Sequence, residues 1–180
     1  MSKPSDKSSS ATLDIGPVVS ASHLATGAMP AMSEMEFALT VVHNAFSRWM
    51  VRCMTAIGYA GMAPVDVLIL HSVNHREREK TLSDICLVLN IEDTHVVTYA
   101  VKKLVGLGLV KSGKRGKEKT VVITDEGSSA CTRYRDVREA LLISSIKSMG
   151  LQDEEVSRIA AMLRALSGQY DQAARGAASL

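Results

Sequence analysis

Four side chains able to grip or read a nucleic acid, His95, Thr98, Tyr99 and Lys102, recur at i, i+3, i+4 and i+7. That spacing stacks residues on one face of an α-helix. Lysine can donate to guanine O6 and N7, threonine can meet either base type or a thymine methyl, and histidine and tyrosine can donate to bases or phosphates. Thr94 flanks the set. A second group follows: Lys103, Lys111, Lys114, Arg115, Lys117 and Lys119, with Glu118 the one acid between Lys102 and Lys119. Cations so grouped suit phosphates, which supply affinity without sequence information.

The elements around these residues place them. Val96, Val97, Ala100, Val101 and Leu104 form an apolar stripe from about Asp93 onward, opposite the polar face, so one face packs and the other meets solvent or a ligand. Gly106 and Gly108 stop this helix. Ahead of it, Thr81 and Asp84 have capping-box spacing, with Asp in place of the usual Glu. The helix they open is expected to bury Leu82, Ile85, Cys86 and Leu89, and Asn90-Ile91 make the turn between the two helices. After it, Leu109–Lys111 and Thr120–Thr124 are short apolar or β-branched runs separated by Ser112-Gly113-Lys114-Arg115-Gly116-Lys117, a hairpin with a basic, glycine-containing tip. A Thr124-Asp125-Glu126-Gly127 corner closes it. Two short helices followed by a basic hairpin form a winged helix-turn-helix, a shape suited to the major groove of DNA and its flanking phosphates.

The remaining segments are helical. Ser33 and Glu36 have the spacing of another capping box, and Met35, Leu39, Val42, Phe46, Trp49, Met50, Cys53 and Ile57 recur at helical spacing up to Gly58 and Gly61. Pro64 suits the first turn of a second helix carrying Val65, Leu68, Ile69 and Val73. Arg76 to Lys80 read as a solvated, charged connector. Asp125 to about Met149 is expected to be helical, and Asp153, Glu154 and Glu155 fit the positive end of a last helix with the stripe Val156, Ile159, Leu163 and Leu166. Residues 173–180 are expected to fray. Residues 1–32, rich in Ser, Ala, Gly and Pro, read as a flexible or partner-contacting tail whose anchors would be Leu13–Ile15 and Pro17–Val19.

Composition supports a mainly α chain with a small β-hairpin wing. Of 180 residues, 46% are apolar and only 4% aromatic, with nine methionines, a mix that favours helix packing over a β-sandwich. The net charge of +2 says little about partners, whereas the clustering of lysines does. No secretory signal follows Lys3 and Lys7, and no apolar run approaches the ~18 residues of a membrane span. A cytoplasmic protein without membrane contact is the expectation.

Other chemistry is weakly indicated. His71 and His75 are four apart, a spacing that zinc can use, but no third ligand is evident nearby. A helix-end pair with one buried and one exposed member fits better, and no metal or cofactor is implied. Cys53 and Cys86 lie on apolar stripes and read as core. Cys131 sits near a helix start, where the helix dipole could lower a thiol pKa. No Gly-x-Ser-x-Gly, phosphate-binding glycine loop or His-Glu-x-x-His is present, so no enzyme is expected.

Leu104-Val105-Gly106-Leu107-Gly108-Leu109-Val110 and Ile123-Thr124-Asp125-Glu126-Gly127, with the basic hairpin between them, resemble the MarR-type winged-helix transcription regulators. The resemblance covers roughly residues 34–168 and is most specific from Leu82 to Gly127. It implies a homodimer in which the first and last two helices pair across a two-fold axis. It divides the chain into a winged helix-turn-helix at 63–124 and a helical dimerisation region at 33–62 and 125–172. Val41, Ala45 and Met54, outside the first helix's core positions, add apolar surface of the kind that marks association. The family's Asp-x-Arg wing brace is replaced by Arg115 and Lys117, and the recognition helix carries Tyr99 and Lys102 where relatives commonly have Arg and Asp. The target sequence should differ accordingly.

The expected function is a sequence-specific DNA-binding regulator acting as a homodimer on a pseudo-palindromic site, with room for a small-molecule effector. The alternative is a winged-helix interaction or scaffold module that does not read DNA. The wing lysines favour the first. The missing brace and the changes at Tyr99 and Lys102 favour the second.

Overall fold

The structure, a computed structural model, describes residues 16–180. It divides into two compact units, one ending at Trp49 and the other spanning Met50–Leu180. The Leu13–Ile15 anchor lies outside the described residues.

In the first unit a 3-10 turn at Ser22–Thr26 precedes helix α1, Pro30–Ala56, which continues past the unit boundary. The helix therefore starts earlier than the Ser33–Glu36 capping box suggests. Pro30 is suited to a first helical position because its fixed φ is already helical and its missing N–H needs no partner. Inside the helix, the Ser33 hydroxyl instead donates to the Leu24 carbonyl at 2.5 Å. Glu34 accepts the Val18 N–H at 2.9 Å, so this part of the expected tail is held through its backbone. Val42 and Phe46, read from the sequence as core, are exposed at 57% and 48%, beside an equally open Val41.

The second unit holds α2 (Pro64–Asn74), α3 (Leu82–Leu89), α4 (Thr94–Gly106), α5 (Asp125–Arg138), a π-helical turn at Glu139–Ile143, α6 (Ser144–Ser148) and α7 (Asp153–Ala177). Its core is Met54, Val67, Ile69, Leu70, Val73, Ile85, Val97, Leu104, Leu109 and Val121, all essentially inaccessible to water. The strands are β1 (Lys80–Thr81), β2 (Val110–Arg115) and β3 (Glu118–Ile123), forming an antiparallel sheet in the order β1-β3-β2.

Strand β1 corrects the reading of Arg76–Lys80 as solvated at Lys80 alone, since Arg76, Arg78 and Glu79 are exposed. Lys80 and Thr81 pair with Val121 and Thr120. Lys80 is buried, its ammonium donating to the Val73 carbonyl at 3.0 Å and the His75 carbonyl at 2.6 Å. These carbonyls lie at the negative end of α2, where a cation is favoured. Desolvation, helped by the neighbouring Arg78 charge, lowers the Lys80 pKa.

The capping predictions at α3 hold. Thr81 Oγ1 accepts the Asp84 N–H at 3.0 Å, and Asp84 accepts the Thr81 N–H at 2.9 Å. The Thr81 N–H, and then its hydroxyl, hold the Asp84 carboxyl below its ordinary pKa. Only Ile85 of the four expected core positions on α3 is fully buried, whereas Leu82, Cys86 and Leu89 are half-buried. Asn90 ends the helix in the left-handed region, φ 52°, and the Ile91 N–H returns to the Cys86 carbonyl at 2.9 Å. This is the wrapped-back ending that lets the chain turn sharply into α4.

Two further boundaries differ from the sequence reading. The C-terminal helix α7 continues to Ala177 instead of fraying at residue 173. Gln152 begins it, its N–H donating to Glu155 at 3.0 Å. The region from Asp125 to Ser148 is helical throughout but changes to a π-turn at Glu139–Ile143.

Candidate nucleic-acid interface

Helix α4 presents the polar face that its spacing predicts. Val97, Ala100, Val101 and Leu104 are buried, while Thr94, His95, Tyr99 and Lys102 are exposed and Thr98 is half-buried. Asp93 starts the helix by accepting the His95 N–H at 2.8 Å. Tyr99 is 80% exposed. Thr98 donates its hydroxyl proton to the Thr94 carbonyl at 2.9 Å, so its oxygen lone pairs and methyl remain for a ligand. Val96 departs from the expected stripe. It is 39% exposed and lies beside His95 and Tyr99 along an apolar surface groove between α4 and the start of α2.

The helix ends as Gly106 and Gly108 suggest. Gly108 has φ +72°, and the Leu109 N–H returns to the Leu104 carbonyl at 3.0 Å. A residue with a side chain would be strained at that φ. The chain is thereby turned at once into the wing.

The wing is longer in its strands and tighter at its tip than the sequence runs imply. Arg115 pairs directly with Glu118, leaving only Gly116 and Lys117 as the turn. Gly116 supplies the positive φ, +65°, required at the first turn position of a tight hairpin whose twist matches its strands. Arg115 and Glu118 form an exposed ion pair at 3.8 Å, a contact that contributes little stability in water. The apolar period-2 signal fades through Ser112-Gly113-Lys114, so hydrogen bonding extends the strands where composition suggests a loop.

The register brings the cations together. Lys114 and Lys119 are direct cross-strand partners. Partnered residues point to the same face, and like charges so placed repel. Ser112 and Val121 occupy the same face two pairs further from the tip. Ser112 and Lys119 line a cleft of about 240 Å³ together with Thr98 and Lys102 of α4 and an apolar floor of Leu82 and Val101. The polar face of α4 and one face of the wing therefore border a common cleft. Lys111, Lys117 and Arg115 are exposed along the rest of the wing.

Lys103 departs from its expected role as a free phosphate ligand. Its ammonium lies 2.8 Å from the buried Asp66 carboxylate and donates to the Gly61 carbonyl at 2.6 Å. Asp66 also accepts the Ala63 N–H at 2.7 Å, closing the first turn of α2. Sequence reasoning passed over Asp66 because nothing local connects it with Lys103.

The wing root and the corner after it hold the hairpin in place. Glu79 accepts the buried Thr120 hydroxyl at 2.5 Å. Gly113 is packed against both, since a Cβ there would lie 3.0 Å from Thr120 Oγ1 and 3.1 Å from Glu79. At the corner, Thr124 Oγ1 accepts the Gly127 N–H at 3.0 Å and donates toward the Gly108 and Leu109 carbonyls at 2.8 and 2.9 Å. On the outer side, Tyr59 donates to Glu126, whose carboxylate is 2.9 Å from Arg133. The guanidinium lies 5.6 Å from the Tyr59 ring centre.

Of the histidines and cysteines singled out in the sequence, Cys53 and Cys131 are buried, His71 and Cys86 are half-buried and His75 is exposed. His71 is half-buried with its ring edge-on to Tyr134 at 4.5 Å, and burial lowers its pKa, whereas His75 is exposed. Among the described residues no group of three or more His, Cys, Asp or Glu could hold a metal ion. Cys53 is buried and donates to the Tyr134 carbonyl at 3.7 Å. Cys131 lies two turns into α5, away from the positive end, and burial pushes its thiol up to about 11. The expectation of a dipole-lowered thiol is thus overturned, because desolvation disfavours the thiolate. No helix among the described residues is long and apolar enough to cross a membrane.

Comparison with known proteins agrees with this geometry. Residues 62–127 match the family described as winged helix DNA-binding domain. No curated protein sequence matches the chain. Among solved structures, a mutant MarR from E. coli complexed with operator DNA is similar at 15% identity and TM-score 0.62, covering 78% of this chain and 99% of that one. AbfR of Staphylococcus epidermidis is similar at 17% identity and TM-score 0.61, covering 79% and 95%. A structure of reduced AbfR bound to DNA matches at 16% identity and TM-score 0.62, covering 79% and 96%. Residues 62–127 thus match a winged helix DNA-binding domain, and the fold around them is that of the MarR and AbfR structures.

Proposed function

We propose that this protein is a sequence-specific transcription regulator that binds double-stranded DNA as a homodimer on a pseudo-palindromic site. The observation that carries the reading is the opposed Lys114–Lys119 pair, whose Lys119 lines a cleft with Lys102 and Thr98. Ammonium groups set opposite one another lower the stability of a free hairpin, and a polyanion laid across them relieves that cost. Thr94, His95, Thr98, Tyr99 and Lys102 supply the base-reading face. Lys111, Lys114, Arg115, Lys117 and Lys119 supply phosphate contacts. A cytoplasmic location and regulation by a small-molecule effector belong to the same proposal.

The homodimer is favoured by apolar helix surface left open. Val41, Val42 and Phe46 on α1 are exposed, as are Val156, Ile159, Met162 and Leu163 on α7, together with Leu141. These stripes fall in the region assigned to dimerisation, 33–62 and 125–172. Surface of this kind in a soluble protein marks association. Sedimentation at micromolar concentration is expected to give about twice the 19.4 kDa chain mass. A clean monomer that binds DNA at full affinity would refute the dimer.

Selection of bound sequences from a random pool tests the reading as a whole. A recurrent site with two related halves about one helical turn apart is expected. Recovery of no preferred sequence would favour the scaffold alternative. The wing assignment is tested by Arg115→Ala with Lys117→Ala. Affinity should fall for every sequence, and the slope of log K against log salt should flatten by roughly one unit for each phosphate that is no longer neutralised. A changed sequence preference with an intact slope would contradict it.

A further inference from the structure

We infer that Asp66 is a positioning residue for DNA reading, and that Lys103 serves it as an internal tether and not as a phosphate ligand. The inference rests on the proposed DNA-binding function and assigns roles within that site. Three observations carry it. Asp66 is buried on the first turn of α2, with its side chain 5% exposed. Its carboxylate oxygen is shared between the Ala63 N–H at 2.7 Å and the Lys103 ammonium at 2.8 Å. The same ammonium donates to the Gly61 carbonyl at 2.6 Å. Lys103 therefore joins α4 to the loop before α2 and to the first turn of α2 at once.

Geometry says why this matters for reading bases. Lys103 is the residue next to Lys102 and one turn beyond Tyr99 on α4. A tether there fixes the rotation of α4 about its own axis. Side-chain tips lie about 6 Å from the axis, so a rotation of roughly 20° moves them by about 2 Å. A hydrogen bond to a base edge, made at about 2.9 Å, does not survive that shift. Phosphate contacts on the wing, carried by long flexible lysines, tolerate it. Loss of the tether should therefore lower specific binding selectively.

The charge pairing also limits what Lys103 can give to DNA. Its carboxylate partner is buried, and withdrawing the ammonium would leave an uncompensated negative charge in the interior, which is costly. A tether and a phosphate ligand thus predict opposite outcomes when Asp66 loses its charge.

The test uses the full chain with Asp66→Asn, Lys103→Met, the double variant, and Lys103→Arg. Asn retains an acceptor for the Ala63 N–H, and Arg can still reach the carboxylate. Dissociation constants are measured for the selected site and for random DNA at several salt concentrations. In the tether reading, Asp66→Asn and Lys103→Met each lower the specific to non-specific ratio by about 2- to 150-fold, the range of coupling between contacting residues. Random-DNA affinity and salt slope stay unchanged, the double variant is no worse than either single, and Lys103→Arg restores the ratio. If Lys103 held a phosphate, Lys103→Met would weaken both DNAs equally and flatten the salt slope by about one. Asp66→Asn, freeing the ammonium, would then strengthen both. Either that pattern or an unchanged ratio overturns the inference.

Amide hydrogen exchange in the DNA-free protein separates this failure from failure of the DNA reading itself. A tether predicts faster exchange along α4 in Asp66→Asn, in Lys103→Met and in the double variant, which leaves no unpaired charge. Unchanged exchange in all three overturns the inference even if the protein selects no DNA sequence.

Discussion

Gly127→Ala is expected to lower the melting temperature by about 4–8 °C, although it places a better helix former inside a helix. Two effects oppose one another. Alanine in place of glycine favours folding by about 0.8–1.0 kcal/mol in a helix interior, an upper bound for Gly127 in the first turn of α5. A Cβ on Gly127, however, would lie 2.0 Å from the Leu109 carbonyl oxygen and 2.7 Å from Ile123 Cδ1. The first contact is with backbone that cannot step aside. Leu109 ends the α4 turn and its carbonyl accepts the Thr124 N–H at 3.2 Å and the Thr124 hydroxyl at 2.9 Å. Overpacking of this kind costs about 1–3 kcal/mol and more where the neighbour is rigid. The clash outweighs the propensity gain, leaving roughly 2 kcal/mol of destabilisation at about 2–4 °C per kcal/mol for a chain this long. Gly168→Ala is the control. That glycine lies inside α7, and a Cβ added there would meet nothing within 4 Å, so its variant should melt no lower than the parent. Equal melting of Gly127→Ala and the parent would mean that the corner is looser than its hydrogen bonds indicate.

Replacing Thr98 or Tyr99 with Ala should lower affinity for the selected DNA site by about 5- to 150-fold, with little change on random DNA. This is the range of about 1–3 kcal/mol that one good base contact contributes to discrimination. Both residues lie in the N-terminal half of α4, where base edges come within reach in this class of domain. Tyr99 is almost fully open, and Thr98 borders the cleft shared with Ser112 and Lys119. Neither contributes to the buried stripe Val97, Ala100, Val101 and Leu104, so thermal melting should be nearly unchanged. The measurement is the ratio of specific to non-specific dissociation constants at fixed salt. An unchanged ratio in both variants would show that α4 does not read bases, and the scaffold alternative would then lead.

What the sequence determined by itself is what lies within one or two turns along the chain. The apolar period of α4 follows from Val97, Ala100, Val101 and Leu104 because a helix repeats every 3.6 residues. The start of α3 follows from Thr81 and Asp84 because a cap needs only neighbours three residues apart. The stop at Gly108 follows from a conformation that only glycine adopts freely, whereas the narrowing of the wing tip to Gly116-Lys117 does not show in the sequence runs. Together these elements made the winged helix legible, and the matched residues 62–127 cover them.

Tertiary structure decided whatever depends on partners distant in sequence. Strand β1 exists because β3 offers it an edge, and two residues carry too little pattern to announce a strand. Lys80 is buried because the end of α2 offers it carbonyls, although the charge run containing it reads as solvated. Lys103 looks like its neighbour Lys102 in sequence, yet one meets buried Asp66 and the other lines the cleft beside Thr98. Gly127 reads as part of a corner motif, and only the approach of the Leu109 carbonyl shows why no larger residue fits. Cys131 sits near a helix start in the sequence, but the side chains packed over it, not the helix dipole, set its pKa. In each case periodicity fixes which way a residue faces along its own element, while burial and charge depend on what the fold brings against that face.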